Sequence, residues 1–132
     1  MGYDLHITRK KFWADEDGPE ITNSEWLQVI NNDTSLDLAG YNGEFFALWS
    51  GASEHEEPWL DWREGEIYSK NPDEAVIRKM LELSSIFGAQ VQGDDGEIYT
   101  SPTEFHHPET ADTIETVKPA KQGWRRFIPW QI

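Results

Sequence analysis

The apolar positions of the chain switch between a spacing of two and a spacing of 3.6. YDLHITRK, residues 3–10, puts Tyr3, Leu5 and Ile7 on one side and Asp4, His6 and Thr8 on the other, which predicts a half-buried strand. DEDGP at 15–19 is a turn. Thr22 and Glu25 have the T-x-x-E spacing of a capping box, in which each side chain satisfies a backbone amide left free where a helix starts. Trp26, Val29 and Ile30 continue it as an i, i+3, i+4 stripe, and the short helix should fray at Asn31–Asp33.

YNGEFFALWS, 41–50, reads as a turn entering a strand; the nearly continuous apolar run Phe45–Trp49 predicts a central position in a sheet. PWLDWRE and GEIYSK predict two more strands with a tight connection at Glu64–Gly65 and Pro58 at a strand start. The stretch 71–88 carries the clearest helix signal. Asn71 is placed as its cap, Pro72 at its first position, Asp73 and Glu74 at the positive end of its dipole, and Gly88 at its stop. Ala75, Val76, Ile77, Met80, Leu83 and Phe87 form its buried face. A hairpin turns at the Asp–Gly of 95–96.

The order strand, helix, three strands, helix, two strands predicts an α+β fold. It is a mainly antiparallel sheet with two helices on one face, a two-layer sandwich with ferredoxin-like topology as one option. Residues 101–132, with four prolines and no period, read as an extended tail. The expected division is a single domain over 1–117 and a basic aromatic segment, 118–132, packed on it, because WRRFIPWQI is too apolar to float free.

Composition sharpens this picture. The chain has 132 residues, enough for one domain with a core, and 13% aromatics offset a modest apolar share. Its 25 acids and 11 bases give −14, and the charge is uneven: 118–132 is +4 and the rest is −18. Such a body repels nucleic acid and anionic membrane and attracts basic surfaces. There is no cysteine, so disulfides and thiolate metal sites are excluded. With no signal core at its start and no membrane-length apolar run, the chain is expected in the cytoplasm.

The segments YDLHITRK…DEDGPEI, the Trp26 helix and FGAQVQGDDGEIY resemble an uncharacterised family of small acidic bacterial cytoplasmic proteins. The resemblance implies a compact bacterial domain and carries over no catalytic residue. By analogy of size and charge alone, it extends to immunity proteins of toxin–immunity pairs.

The stretch EHEEPWLDWREGEIY, 54–68, concentrates acids around two tryptophans and one arginine. As an enzyme site it lacks a carboxylate pair set apart by an apolar pocket, and 25 acids in 132 residues produce close pairs by chance. His6, His55, His106 and His107 have no ligand spacing, and DEDG and GDDGE lack the twelve-residue calcium pattern, so no metal or cofactor is expected. Nucleophile and phosphate-loop motifs do not occur, and the chain reads as a binding protein before an enzyme.

On a strand over 59–63, Trp59, Asp61 and Arg63 share one face and Leu60 and Trp62 the other. The expected partner-binding residues are therefore Glu54, Glu56, Glu57, Trp59 and Asp61. An aromatic anchor beside acids would hold a basic protein, such as a toxin domain. Two alternatives stand beside this one: an enzyme or small-ligand binder with a carboxylate- and tryptophan-lined cleft, and a homo-oligomer joined through the C-terminal segment.

Overall fold

A computed structural model describes residues 3–107. Two helices and eight strands follow one another as β1 (Asp4–Thr8), α1 (Asn23–Asn32), β2 (Leu36–Leu38), β3 (Ala47–Trp49), β4 (Trp59–Arg63), β5 (Glu66–Lys70), α2 (Glu74–Phe87), β6 (Gln90–Gly93), β7 (Ile98–Ser101) and β8 (Glu104–His106). The strands form one sheet in the order β2-β3-β4-β5-β1-β6-β7-β8, antiparallel at every pairing. This is the expected α+β class.

Strand alternation fixes the two faces. Leu5 lies opposite Ser69, Ile7 opposite Ile67 and Val91, and Leu60 opposite Ala47. These residues and Leu36 form the inner face, with Trp26 and Ile30 of α1 and Val76, Ile77, Met80, Leu83 and Phe87 of α2 completing one core. Trp26, Leu5, Ile7, Leu60 and Ile67 are fully buried, each removing roughly 1.5–3 kcal/mol of apolar surface from water. The other face of the sheet, called the outer face below, carries no helix from this core.

Local chemistry explains the element ends. The capping box forms as predicted: Thr22 Oγ1 accepts from the Glu25 amide at 3.1 Å, and the Glu25 carboxylate accepts from the Thr22 amide at 2.9 Å. Gly88 ends α2 in the left-handed conformation. Glu64 and Gly65 both have positive φ, 53° and 89°, as a two-residue hairpin turn requires. A side chain at Gly65 would also meet Glu20 Cγ at 2.7 Å.

Four expectations are corrected. Asp73, not Asn71, caps α2, accepting from the Val76 amide at 3.0 Å; Asn71 sits at φ 50° and its side chain accepts from the Tyr3 amide instead. Phe45–Trp49 is not a central strand: only Ala47–Trp49 pairs, next to the edge strand β2. Phe45 and Phe46 are apolar because they pack on the indoles of Trp62 and Trp59. Leu36–Leu38 is a strand, too short for its period to register. Residues 104–106 form β8 where extended tail was expected. The 118–132 segment lies outside the described residues. Among those described, no helix is long and apolar enough to cross a membrane.

Candidate functional site

Two groups of side chains stand on the outer face. One is built on β4 and its neighbours. Trp59 and Asp61 point outward while Leu60 is fully buried behind them, as the alternation predicted. Trp59 is half-buried. It stacks on Phe46 at 5.1 Å and meets the Tyr68 ring edge-on at 5.5 Å. The Arg63 guanidinium lies 4.2 Å from the centre of that same Tyr68 ring. Asp61 faces Tyr68 across the β4–β5 pairing. Burial raises its carboxyl above the ordinary aspartate range, outweighing the Trp62 amide and the Tyr68 hydroxyl, which favour the charged form. Trp62 belongs to the inner side, where its indole N–H donates to the Ile21 carbonyl at 2.8 Å.

The three glutamates expected beside Trp59 are exposed on the loop between β3 and β4. Asp73 fixes this loop as it caps α2. Its second carboxylate oxygen accepts from Ser53 Oγ at 2.9 Å and from the Glu54 amide at 2.6 Å. Burial opposes the charge on Asp73, but these donors prevail and hold its carboxyl below the ordinary range. His55 Nε2 donates to the Asn71 carbonyl at 2.7 Å. Glu54 is thus tethered through its backbone, and Glu56 and Glu57 extend into solvent just before Pro58 and Trp59. Of the five predicted residues, Trp59 and Asp61 are half-buried and Glu54, Glu56 and Glu57 are exposed.

The second group was not foreseen. His6, on the polar side of β1, is only 1% exposed. Its Nδ1 lies 2.7 Å from Glu66 of β5 and its Nε2 lies 3.0 Å from Asp94, beyond β6. Both ring nitrogens meet carboxylate oxygens, an arrangement that suits the doubly protonated imidazolium. Burial pushes the His6 pKa down, but Glu66 and then Asp94 outweigh it, and the net direction is up. Trp13 covers the ring, stacked 3.8 Å away and 7° from parallel. The Trp13 amide donates to Gln92 Oε1 at 2.9 Å and its indole N–H donates to the Asp94 carbonyl at 3.1 Å. Gln92 is itself fully buried and donates to the Lys11 carbonyl. Alternation marked His6 as a polar-face residue but gave no sign of what would close over it.

This second group has the residue types of a general-acid site, but its histidine is only 1% exposed. Neither His6 nitrogen is free, and the stacked indole covers the ring. Next to it, a cleft of about 470 Å³ opens between the β1–α1 loop and the β4–β5 turn, lined by Trp13, Glu16, Glu20, Arg63, Glu64 and Glu66 among others. Asp61, the carboxyl raised by burial, does not line it. Among the described residues, no three His, Asp or Glu side chains converge as metal ligands would.

Comparison of the chain with protein-family models, with curated proteins and with solved structures gave no match. The functional reading accordingly rests on the geometry.

Proposed function

We propose that the chain is an acidic binding protein that engages a basic protein partner through its outer sheet face. Trp59 is the anchor, and the Glu54–Glu57 loop with Asp61 forms the charged margin. The observation that carries this reading is the half-buried Trp59, ordered between Phe46 and Tyr68 on a face the core helices leave uncovered, next to a loop whose acids point to water. An indole already held by its neighbours loses little conformational freedom on binding, and surrounding acids accelerate encounter with a cationic surface.

Charge supports the same partner class. Residues 3–107 contain 22 acids and 7 bases. Several of those bases are engaged at home: Arg9 with Glu25, Lys79 with Asp33 and Glu82, Lys70 with Asp4, and Arg63 over Tyr68. A toxin domain with a cationic cleft is the specific partner proposed, and occlusion of that cleft the mechanism.

The test is affinity capture from source-cell lysate with the wild-type chain, W59A, E56K/E57K and, as a control of equal charge change on α2, E74K/E82K. The captured basic protein is then purified and its affinity for each chain measured against salt. The expected result is binding at least about tenfold weaker for W59A and E56K/E57K, and unchanged for the control. Equal affinity for all four chains, or capture of no basic protein, overturns the proposal.

A further inference from the structure

We infer that the open edge of β2 takes up an extended segment of another protein as an added antiparallel strand, one whose residues alternate between apolar and basic. The site is the edge of the sheet rather than its outer face, and it does not rest on the Trp59 reading.

Backbone geometry supplies the edge. β2 comes first in the sheet order, and among the described residues only β3 pairs with it. The register sets Leu36 opposite Trp49 and Leu38 opposite Ala47. The Ala39 amide donates to the Phe46 carbonyl and the Ser50 amide donates to the Ser35 carbonyl, so Ser35, Asp37 and Ala39 turn their backbone groups toward β3. In an antiparallel ladder the residues between them point the other way, and Leu36 and Leu38 therefore direct theirs to the open edge. The Leu36 amide donates to the Asp33 carbonyl at 3.0 Å; the Leu36 carbonyl and both groups of Leu38 are left for a further strand. β2 has no proline, lysine or bulge, the guards that commonly block such an edge.

Side chains select the occupant. A groove of about 500 Å³ runs between α1 and β2, lined by Leu27, Ile30, Leu36 and Leu38 among others. Leu38 is 47% exposed although it lies on the same side of the strand as buried Leu36. Residues that bond to Leu36 and Leu38 place their side chains over this groove, and the residues between them lie beside Asp37 on the opposite face. The first set should be apolar and the second basic. Asp33, at the groove, is held by Lys79 at 2.6 Å, whereas Asp37 is exposed and makes no ion pair among the described residues, and no base lines the groove. A second copy of the chain fits poorly, because an antiparallel pair centred on Asp37 sets two aspartates opposite each other.

The probe is a short acetylated peptide alternating valine and lysine, titrated into the full chain and followed by the backbone amide NMR signals of Leu36–Leu38. Antiparallel addition turns the valine amides toward β2. Saturable binding is expected, at least about tenfold weaker when the valine amides are N-methylated and within about twofold when the lysine amides are. Leu38→Pro removes the outward amide without touching a bond to β3 and should weaken binding at least about tenfold, Asp37→Lys about fivefold, and Trp59→Ala less than about twofold. The methylated peptides decide the question alone if Leu38→Pro fails to fold. A titration that does not saturate, equal loss from both methylation patterns, loss confined to the lysine-methylated peptide, unchanged binding by folded Leu38→Pro or by Asp37→Lys, or a loss in Trp59→Ala as large as about tenfold overturns the inference. Failure here leaves the Trp59 reading standing, because the peptide probes the edge, and failure of partner capture leaves the peptide result intact.

Discussion

His6 with Trp13 and Asp61 with Trp59 make two versions of one composition on one sheet face. Each joins an aromatic ring to carboxylates, yet one is sealed and the other open. His6 is enclosed because its polar atoms are fully used: two carboxylates occupy its nitrogens, and the loop bearing Trp13 is fastened by Gln92 and by the Asp94 carbonyl. At Trp59, aromatic neighbours hold the ring from the sides, and the adjacent loop is tied back toward α2 by Asp73, leaving the face clear. Residue type therefore does not separate a sealed cluster from an open one. What separates them is where the nearest loop is fastened.

The sharpest way to break the comparison is His6→Ala. It strands Glu66, nearly buried, without its cation, and should destabilise the fold by about 3 kcal/mol in urea unfolding. A loss under about 1 kcal/mol would show that the sealed group contributes no more than a surface pair.

Trp59→Ala should divide its effect the other way. Partner binding should weaken by about 2 kcal/mol at this anchor, while stability falls by about 1 kcal/mol, read by calorimetry beside the capture assay. A stability loss as large as that of His6→Ala would move Trp59 from recognition to scaffold.

The smallest effect is the response to pH. A raised folded pKa means that the His6 contribution is complete below its ordinary value of about 6.5 and is lost as pH climbs through the higher folded value. The opposite sign applies to two carboxyls. The Arg9 guanidinium, then the Thr22 amide, hold Glu25 down at about 2. Burial opposes the charge on Asp33, but Lys79 and Ser35 bring its carboxyl to about 2. Their contribution is present above the ordinary carboxylate range and is lost as pH falls toward 2. Stability followed by Trp fluorescence should therefore plateau between about pH 5 and 6.5 and decline on both sides. His6→Gln should flatten only the alkaline decline, and a decline unchanged in that variant would remove His6 as its source.

Much of the scaffold can be read directly from the chain. The alternation in YDLHIT and WLDWR puts Leu5 with Ile7 and Leu60 with Trp62 on one face and His6, and Trp59 with Asp61, on the other; the structure shows which face is inner, and the Thr22–Glu25 box and Gly88 mark helix ends. Local rules misplaced the cap of α2. Asn71 and Asp73 are both good capping residues, and the choice went to the one that also binds the β3–β4 loop, leaving Asn71 to hold Tyr3. Phe45–Trp49 misled because its first two rings pack on indoles of the neighbouring strand β4.

The sequence by itself determined which residues share a strand face, the start of α1 at its capping box and the end of α2 at Gly88, and that an acidic, tryptophan-bearing segment lies on a strand. These properties depend on neighbours within a turn or two along the chain. Only the tertiary structure decided which carboxylates are used internally and which face water. The partners of His6 lie 60 and 88 residues away, brought together by the placement of β1 between β5 and β6. Periodicity cannot show which of 25 acids will meet one buried histidine, because that contact is set by strand order across the sheet.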